Sequence, residues 1–228
     1  LGSKTPLLEN AHVKLLPGHV YGLTGPNGCG KSSLLRRVAF NKIAGFPPHL
    51  SKLYISNEES VEHTTALECL KDLYKVYNET QWQAAGNAKL DDLQQQLDEI
   101  DFDDSDAMQE LTEAMEAIEL QLDRDEDVAQ KAAQVLEFMG IDSDSSLCSL
   151  SPGQRTKVRL SLALLCESTD LLLLDEPTHH LDIPGLLKLR QVVEHAQAQQ
   201  TIVVLVSHDC DFLNDKCTDM VEFDNRKL

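Results

Sequence analysis

The run Gly25-Pro26-Asn27-Gly28-Cys29-Gly30-Lys31-Ser32 constrains this 228-residue chain more than any other feature, because it stands between a strand pattern and a helix pattern. Residues 20–24 read as a short buried strand entering the run, and residues 32–40 as the helix leaving it. The three glycines let successive backbone N–H groups turn inward around an anion, and the helix starting near Lys31 adds the positive end of its dipole. Lys31 can reach the β- and γ-phosphates of a nucleotide, and the Ser32 hydroxyl can ligate Mg²⁺. A glycine-rich turn without a ligand is the weaker reading, since the whole Gly-x-x-x-x-Gly-Lys-Ser pattern has its strand and its helix. The run implies that a nucleoside triphosphate is bound.

The rest of the chain alternates strand and helix patterns, which implies a parallel sheet flanked by helices. Residues 52–56 read as a second strand and 65–76 as a helix with Leu67, Leu70 and Leu73 on one side. Leu171 to Asp175 is a continuous apolar strand of the kind buried on both faces. It follows a helix at 155–166 and precedes a helix at 184–199 and a Val/Ile-rich strand at 201–207.

Between the second strand and this region lies an acidic stretch with helical periodicity. Leu90, Leu93, Leu97 and Ile100 form one apolar stripe, and Leu111, Met115, Ile118 and Leu122 another, with residues 101–105 breaking them. The pattern predicts two antiparallel helices pairing narrow stripes, with carboxylates facing water. A third helix is expected at 128–139, with Asp127 as N-cap and Gly140 as its stop. The expected fold is thus a P-loop α/β core at 1–76 and 141–228, carrying an acidic helical insertion at 77–140.

The net charge of −18 belongs largely to that insertion: residues 91–127 hold sixteen Asp or Glu against one Arg, and the remainder 22 acids against 19 bases. A solvated helix face is the ordinary reading of such a run, and an arm that probes a partner is the functional one. No basic footprint for naked DNA or RNA exists, so a direct nucleic-acid grip is not expected. No apolar run approaches the ~20 residues that span a bilayer, and no leader pattern opens the chain. The six cysteines show no metal or disulfide spacing and read as reduced thiols of a cytoplasmic protein. Cys29 differs only in lying inside the phosphate loop.

Two further stretches place chemistry at the carboxyl edge of the sheet. Asp175 ends its strand beside the phosphate loop, a position suited to holding Mg²⁺. Glu176 comes next and points differently, toward the γ-phosphate, where it can polarise an attacking water. His208 directly follows the 201–207 strand and can hydrogen-bond the same phosphate.

These motifs, with Leu150-Ser151-Pro152-Gly153-Gln154 and His180-Leu181-Asp182, resemble the ATP-binding cassette (ABC) superfamily in kind and in order. The chain looks most like the F branch, which lacks transmembrane domains. That narrower resemblance rests on Tyr21-Gly22-Leu23-Thr24, Thr65-Ala66-Leu67-Glu68, Asp175-Glu176-Pro177-Thr178 and Val206-Ser207-His208-Asp209 with Phe212-Leu213. It implies ATP and Mg²⁺ as ligands, with Gly25, Pro26, Asn27, Gly28, Cys29, Gly30, Lys31, Ser32, Ser33 and Asn57 around the nucleotide. Ser32 and Asp175 would hold the metal, and Glu176 and His208 would act in hydrolysis. Ser151, Gly153, Gln154 and the D-loop Asp182 would serve a nucleotide held by a second cassette, in the same chain or a dimer. The resemblance further implies work on ribosomes or translation factors.

Four departures qualify the match. Pro152 replaces a glycine, which stiffens the signature turn and removes one backbone donor. Asn57 stands where a glutamine is usual, and a shorter amide reaches Mg²⁺ only through water. His179 stands where an asparagine is usual. The family's first strand and adenine-stacking aromatic would lie before Leu1, so the chain reads as part of a longer protein. Two other readings stand beside the F-branch one: a nucleotide-binding subunit of a membrane transporter with a partner groove near 57–63, and an ATP-dependent clamp with little turnover. The insertion and Thr65-Ala66-Leu67-Glu68 favour the F branch over the transporter, and Lys31, Asp175, Glu176 and His208 argue against the clamp.

Overall fold

The computed structural model describes residues 13–43, 46–47, 49–56, 65–99, 105–122, 128–166 and 169–223. In chain order the elements are β1 (Val20–Thr24), α1 (Lys31–Ala39), β2 (Lys52–Ser56), α2 (Ala66–Tyr77), a π-helical turn (Asn78–Trp82), α3 (Gln83–Glu99), α4 (Ser105–Leu122), α5 (Val128–Phe138), a 3₁₀ turn (Leu147–Ser149), α6 (Pro152–Leu165), β3 (Leu171–Asp175), α7 (Ile183–Ala198), β4 (Ile202–Val206), α8 (Cys210–Lys216) and β5 (Asp219–Glu222). The strands form one sheet in the order β2-β3-β4-β1-β5, with every pair parallel. A wholly parallel sheet puts all its carboxyl ends on one edge, which is where such folds bind ligands.

The sheet is covered on both faces, which is why β3 reads as unbroken leucine. Leu172 and Leu174 join Leu53, Ile55, Val203 and Leu205 in the larger apolar cluster, under α2, α5, α6, α7 and α8. Leu171 and Leu173 turn the other way, to Leu34, Leu35 and Ala39 of α1. Leu174 has no exposed surface and sits mid-sheet between Ile55 and Leu205. Leu174→Ala is expected to cost about 3–5 kcal/mol of stability through the cavity it leaves. Urea unfolding measures this, and a loss under about 1 kcal/mol would show that the sheet centre collapses to fill the space.

Local chemistry explains the helix boundaries. Thr65 and Glu68 form a reciprocal capping box, each side chain accepting the other's backbone N–H at 3.2 Å, which starts α2 at Ala66. Gly140, at φ 74°, stops α5 as expected, and the next N–H, of Ile141, returns to the Leu136 carbonyl at 2.9 Å.

Helices α3 and α4 pack on each other as the paired stripes predict. Leu93, Leu97, Leu111, Met115 and Ile118 are half-buried, while Asp91, Asp92, Glu110, Glu113 and Glu116 are exposed. Helix α5 instead feeds Ala132 and Leu136 into the larger core cluster, beside Tyr77. The hairpin root is tied to the amino edge of the sheet. There the Lys89 ammonium lies 3.4 Å from Asp170, and Asp170 also accepts from the Ser51 N–H at 2.8 Å. Residues 101–104, Asp127 and the side chain of Leu122 lie outside what the structure describes, as does Ile100.

Candidate functional site

The phosphate loop leaves β1 at Thr24 and turns at Gly25, Gly28 and Gly30, with φ of 150°, 76° and 111°. A Cβ on Gly25 would stand 2.4 Å from the Phe223 carbonyl oxygen, so the loop's first turn has room for glycine only. Gly30 caps α1 without any side-chain hydrogen bond, which leaves the first N–H groups of the helix for a ligand. Lys31 is buried, and its ammonium donates to the carbonyls of Gly25 at 2.8 Å and Pro26 at 3.1 Å, so it leans across the loop. Pro26, Asn27, Gly28, Ser32 and Ser33 are exposed, and Cys29 is half-buried.

Three strand ends meet this loop. Asp175 ends β3, and the Ser32 hydroxyl donates to its Oδ1 at 3.0 Å while the Tyr54 phenol of β2 donates to its Oδ2 at 3.0 Å. Among the described residues no three His, Cys, Asp or Glu side chains make a metal cluster of their own. Mg²⁺ binds through one or two protein oxygens and completes its shell with phosphate and water. The Ser32 hydroxyl and the Asp175 carboxylate, already within hydrogen-bond reach of each other, are hard oxygen donors of that kind. The residues present fit the metal.

Glu176 departs from β3 in the left-handed region, at φ 52°, with its N–H held by the Val206 carbonyl at 2.9 Å. Such a backbone is strained for a non-glycine residue, and here it turns the Glu176 carboxylate away from that of Asp175. Glu176 Oε1 meets His208 Nε2 at 3.2 Å, and Oε2 lies 3.6 Å from His179 Nε2 and accepts the His208 N–H at 3.3 Å. Thr178 and Ser207 share a hydroxyl hydrogen bond of 2.7 Å, which ties the loop after β3 to the loop after β4. The arrangement sets a glycine loop, the Lys31 ammonium, the Ser32–Asp175 hydroxyl–carboxylate pair and the separate Glu176 carboxylate on one edge of one sheet.

The signature region corrects one expectation. Helix α6 begins at Pro152, not near Arg155. Ser151 is its N-cap, and its Oγ accepts from the Gln154 N–H at 3.3 Å while the Gln154 side chain accepts from the Ser151 N–H at 2.9 Å. Pro152 therefore occupies the first helical position, where its fixed φ fits and its missing N–H leaves no helical bond unmade. A second expectation, the role of Asn57, lies outside the described residues.

Gly153 packs directly on the D-loop: a Cβ there would lie 2.3 Å from the His180 carbonyl oxygen. Asp182 caps α7 through the Gly185 N–H at 2.8 Å and faces Lys157 of α6 at 3.5 Å. The Gly185 backbone donor first, and the Lys157 charge after it, hold the Asp182 carboxyl below its ordinary value. Gly153→Ala is expected to destabilise by about 1–3 kcal/mol through overpacking against backbone that cannot swing aside. A thermal melt reads this, and an unchanged midpoint would show that the contact gives way freely.

Of the residues expected to act, the structure brings Lys31, Ser32, Asp175, Glu176 and His208 to one sheet edge. Sequence reasoning missed Tyr54, whose only signal was alternation: Tyr54 and Ser56 share a face of β2, and Ser56 pairs with Asp175. It noted His179 only as a substitution, and not that its ring approaches Glu176.

The comparisons agree with this geometry. The family model described as ABC transporter matches residues 8–179. ABC transporter F family member 4 of Arabidopsis thaliana is 34% identical, the alignment covering 97% of this chain and 30% of that protein. Elongation factor 3 of Phytophthora infestans is 32% identical over 97% of this chain and 17% of its own length. The chain spans about a third of the length of the first curated relatives it matches. A solved ATP-binding subunit of an ABC transporter shares the fold with a TM-score of 0.67 at 16% identity, covering 100% of this chain and 83% of that one. With the family model running through the phosphate loop, the signature and the Asp175-Glu176 pair, the chain belongs to the ATP-binding cassette family, and its curated relatives include F-branch members.

Proposed function

We propose that this chain binds and hydrolyses Mg²⁺-ATP as one half of a two-cassette sandwich and acts on ribosomes or translation factors in the cytoplasm. One observation carries the reading: Lys31, the Ser32–Asp175 pair and the Glu176–His208 pair stand around one glycine loop at one sheet edge.

The N–H groups of residues 28 and 30–33 and the Lys31 ammonium bind the phosphates, in a loop whose first turn Gly25 shapes. Ser32 and Asp175 would hold Mg²⁺, which would supply positive charge to neutralise the phosphates. Glu176 Oε1 or Oε2 orients water toward the γ-phosphate and accepts its proton, and His208 holds that carboxylate in place and reaches the phosphate from the next strand. Ser151 and Pro152 are exposed at the start of α6, a placement that suits a signature offered to the nucleotide of another cassette. The 77–140 insertion is then the arm that touches the larger target. Its acidic helix faces favour a basic protein surface over bare phosphate backbone. The name of the Phytophthora relative, an elongation factor, supports translation as the setting. No helix among the described residues is long and apolar enough to cross a membrane.

Complementation tests the shared site. Lys31→Ala and Ser151→Ala chains should each be inactive, and their mixture should regain hydrolysis, because one composite site then has both groups. Silence of the mixture beside an active unaltered chain would end the sandwich reading. Pelleting with ribosomes in ATP but not ADP tests the target, and equal pelleting in both would remove it.

A further inference from the structure

We propose that Tyr54 is a positioning residue for the metal-holding carboxylate: its phenol clamps Asp175 Oδ2, so that Oδ1 stays turned to Ser32 and presents a preset ligand to Mg²⁺. The inference rests on the Mg²⁺-nucleotide reading given above and adds a residue to that site.

Register explains how a side chain of β2 reaches the end of β3. Tyr54 pairs with Leu173 and Ser56 with Asp175, so Tyr54 lies on the face of Asp175, one pleat back. The Tyr54 side chain spans this diagonal, its hydroxyl reaching Asp175 Oδ2. The two carboxylate oxygens consequently have separate partners at equal distance, Tyr54 on Oδ2 and Ser32 on Oδ1, both 3.0 Å. Asp175 is only 8% exposed, so water contributes little and these two donors set the carboxylate's rotation. The Tyr54 ring is itself braced edge-on by Phe40, centroids 6.5 Å apart at 67°. Burial first, then the Asp175 carboxylate, pushes the phenol above its ordinary value, against hydrogen bonds with Arg36 and Ser56. The group is a protonated donor throughout the neutral range.

A donor that braces a metal-ligating carboxylate from behind characteristically contributes 10–100-fold to metal affinity. A tyrosine that only fills space contributes nothing of the kind, and Tyr54→Phe separates the two because it keeps the ring. The measurement is binding of a fluorescent ATP analogue to the purified chain, titrated with Mg²⁺ and repeated in EDTA. Expected is a rise of about tenfold in half-saturating Mg²⁺ with unchanged affinity in EDTA, and a matching weakening of Mn²⁺ bound with nucleotide, read by electron paramagnetic resonance. An Mg²⁺ midpoint within twofold of the unaltered chain overturns the proposal. So does an equal loss of affinity with and without Mg²⁺, which marks a general loosening of the loop. Failure of the underlying reading looks different: the unaltered chain would itself bind nucleotide with no response to Mg²⁺.

Discussion

Glu176→Gln is expected to lower ATP hydrolysis by about 10²–10⁴-fold while leaving nucleotide affinity within about twofold, the range a general base supplies. The amide has the carboxylate's shape, so its oxygen can still accept from His208, which lies 3.2 Å from Glu176 Oε1. What the amide cannot do is take a proton from water. Asp175, the neighbouring carboxylate, is a poor substitute because it is buried and both of its oxygens have donors already, from Ser32 and Tyr54. Glu176 instead leaves the strand at φ 52° and presents its carboxylate beside two imidazoles on the sheet edge. The check is single-turnover hydrolysis of γ-labelled ATP beside equilibrium binding of the same nucleotide. A hydrolysis rate within threefold of the unaltered chain would assign the base elsewhere. A parallel fall in binding and hydrolysis would make Glu176 a structural post for the 176–180 turn.

Why some of this was legible in the sequence and some was not follows from how far each contact reaches along the chain. The phosphate loop is a local device: the glycines, the helix start and Lys31 lie within eight residues, and each has a conformational reason visible in one dimension. The central strand β3 was equally plain, because burial on both faces leaves five apolar or terminal positions in a row. The α3–α4 pairing was written in two stripes of period near 3.5. Helix α8 and strand β5 drew no prediction. Both are short, seven and four residues, and β5 alternates half-buried and exposed positions at a sheet edge. Helix α6 begins three residues before the expected 155, because Ser151 and Gln154 cap a helix whose first position Pro152 fills. Contacts between distant strands were out of reach altogether. Tyr54 meets Asp175 across 121 residues of chain. Lys52 is a more severe case: it is 2% exposed, and its ammonium is satisfied by Asn41 Oδ1 and the Leu50 carbonyl, each at 2.8 Å. Composition cannot announce a buried lysine whose partners are loop oxygens.

Lys31→Ala is expected to weaken nucleotide binding by at least about 100-fold, since two charge-assisted contacts to phosphate contribute about 1.5–3 kcal/mol each. The ammonium already lies inside the loop, donating to the Gly25 and Pro26 carbonyls, so it is held over the cradle before any phosphate arrives. Those two carbonyls belong to the loop itself, and a purely structural lysine would make the same pair of bonds. The two roles part on one comparison. If Lys31 chiefly holds the loop, its removal lowers the melting temperature and weakens nucleotide binding together, and Lys31→Met, which keeps the buried stem, recovers little of either. If it binds phosphate, the melt without nucleotide moves little, because Gly25 stays wedged under the Phe223 carbonyl and β1 keeps its ladders to β4 and β5. Affinity then falls in Lys31→Met as far as in Lys31→Ala, since neither side chain carries the charge. Calorimetric nucleotide titration beside a thermal melt of both variants decides it, and the phosphate-binding reading fails if Lys31→Met binds nucleotide within threefold of the unaltered chain.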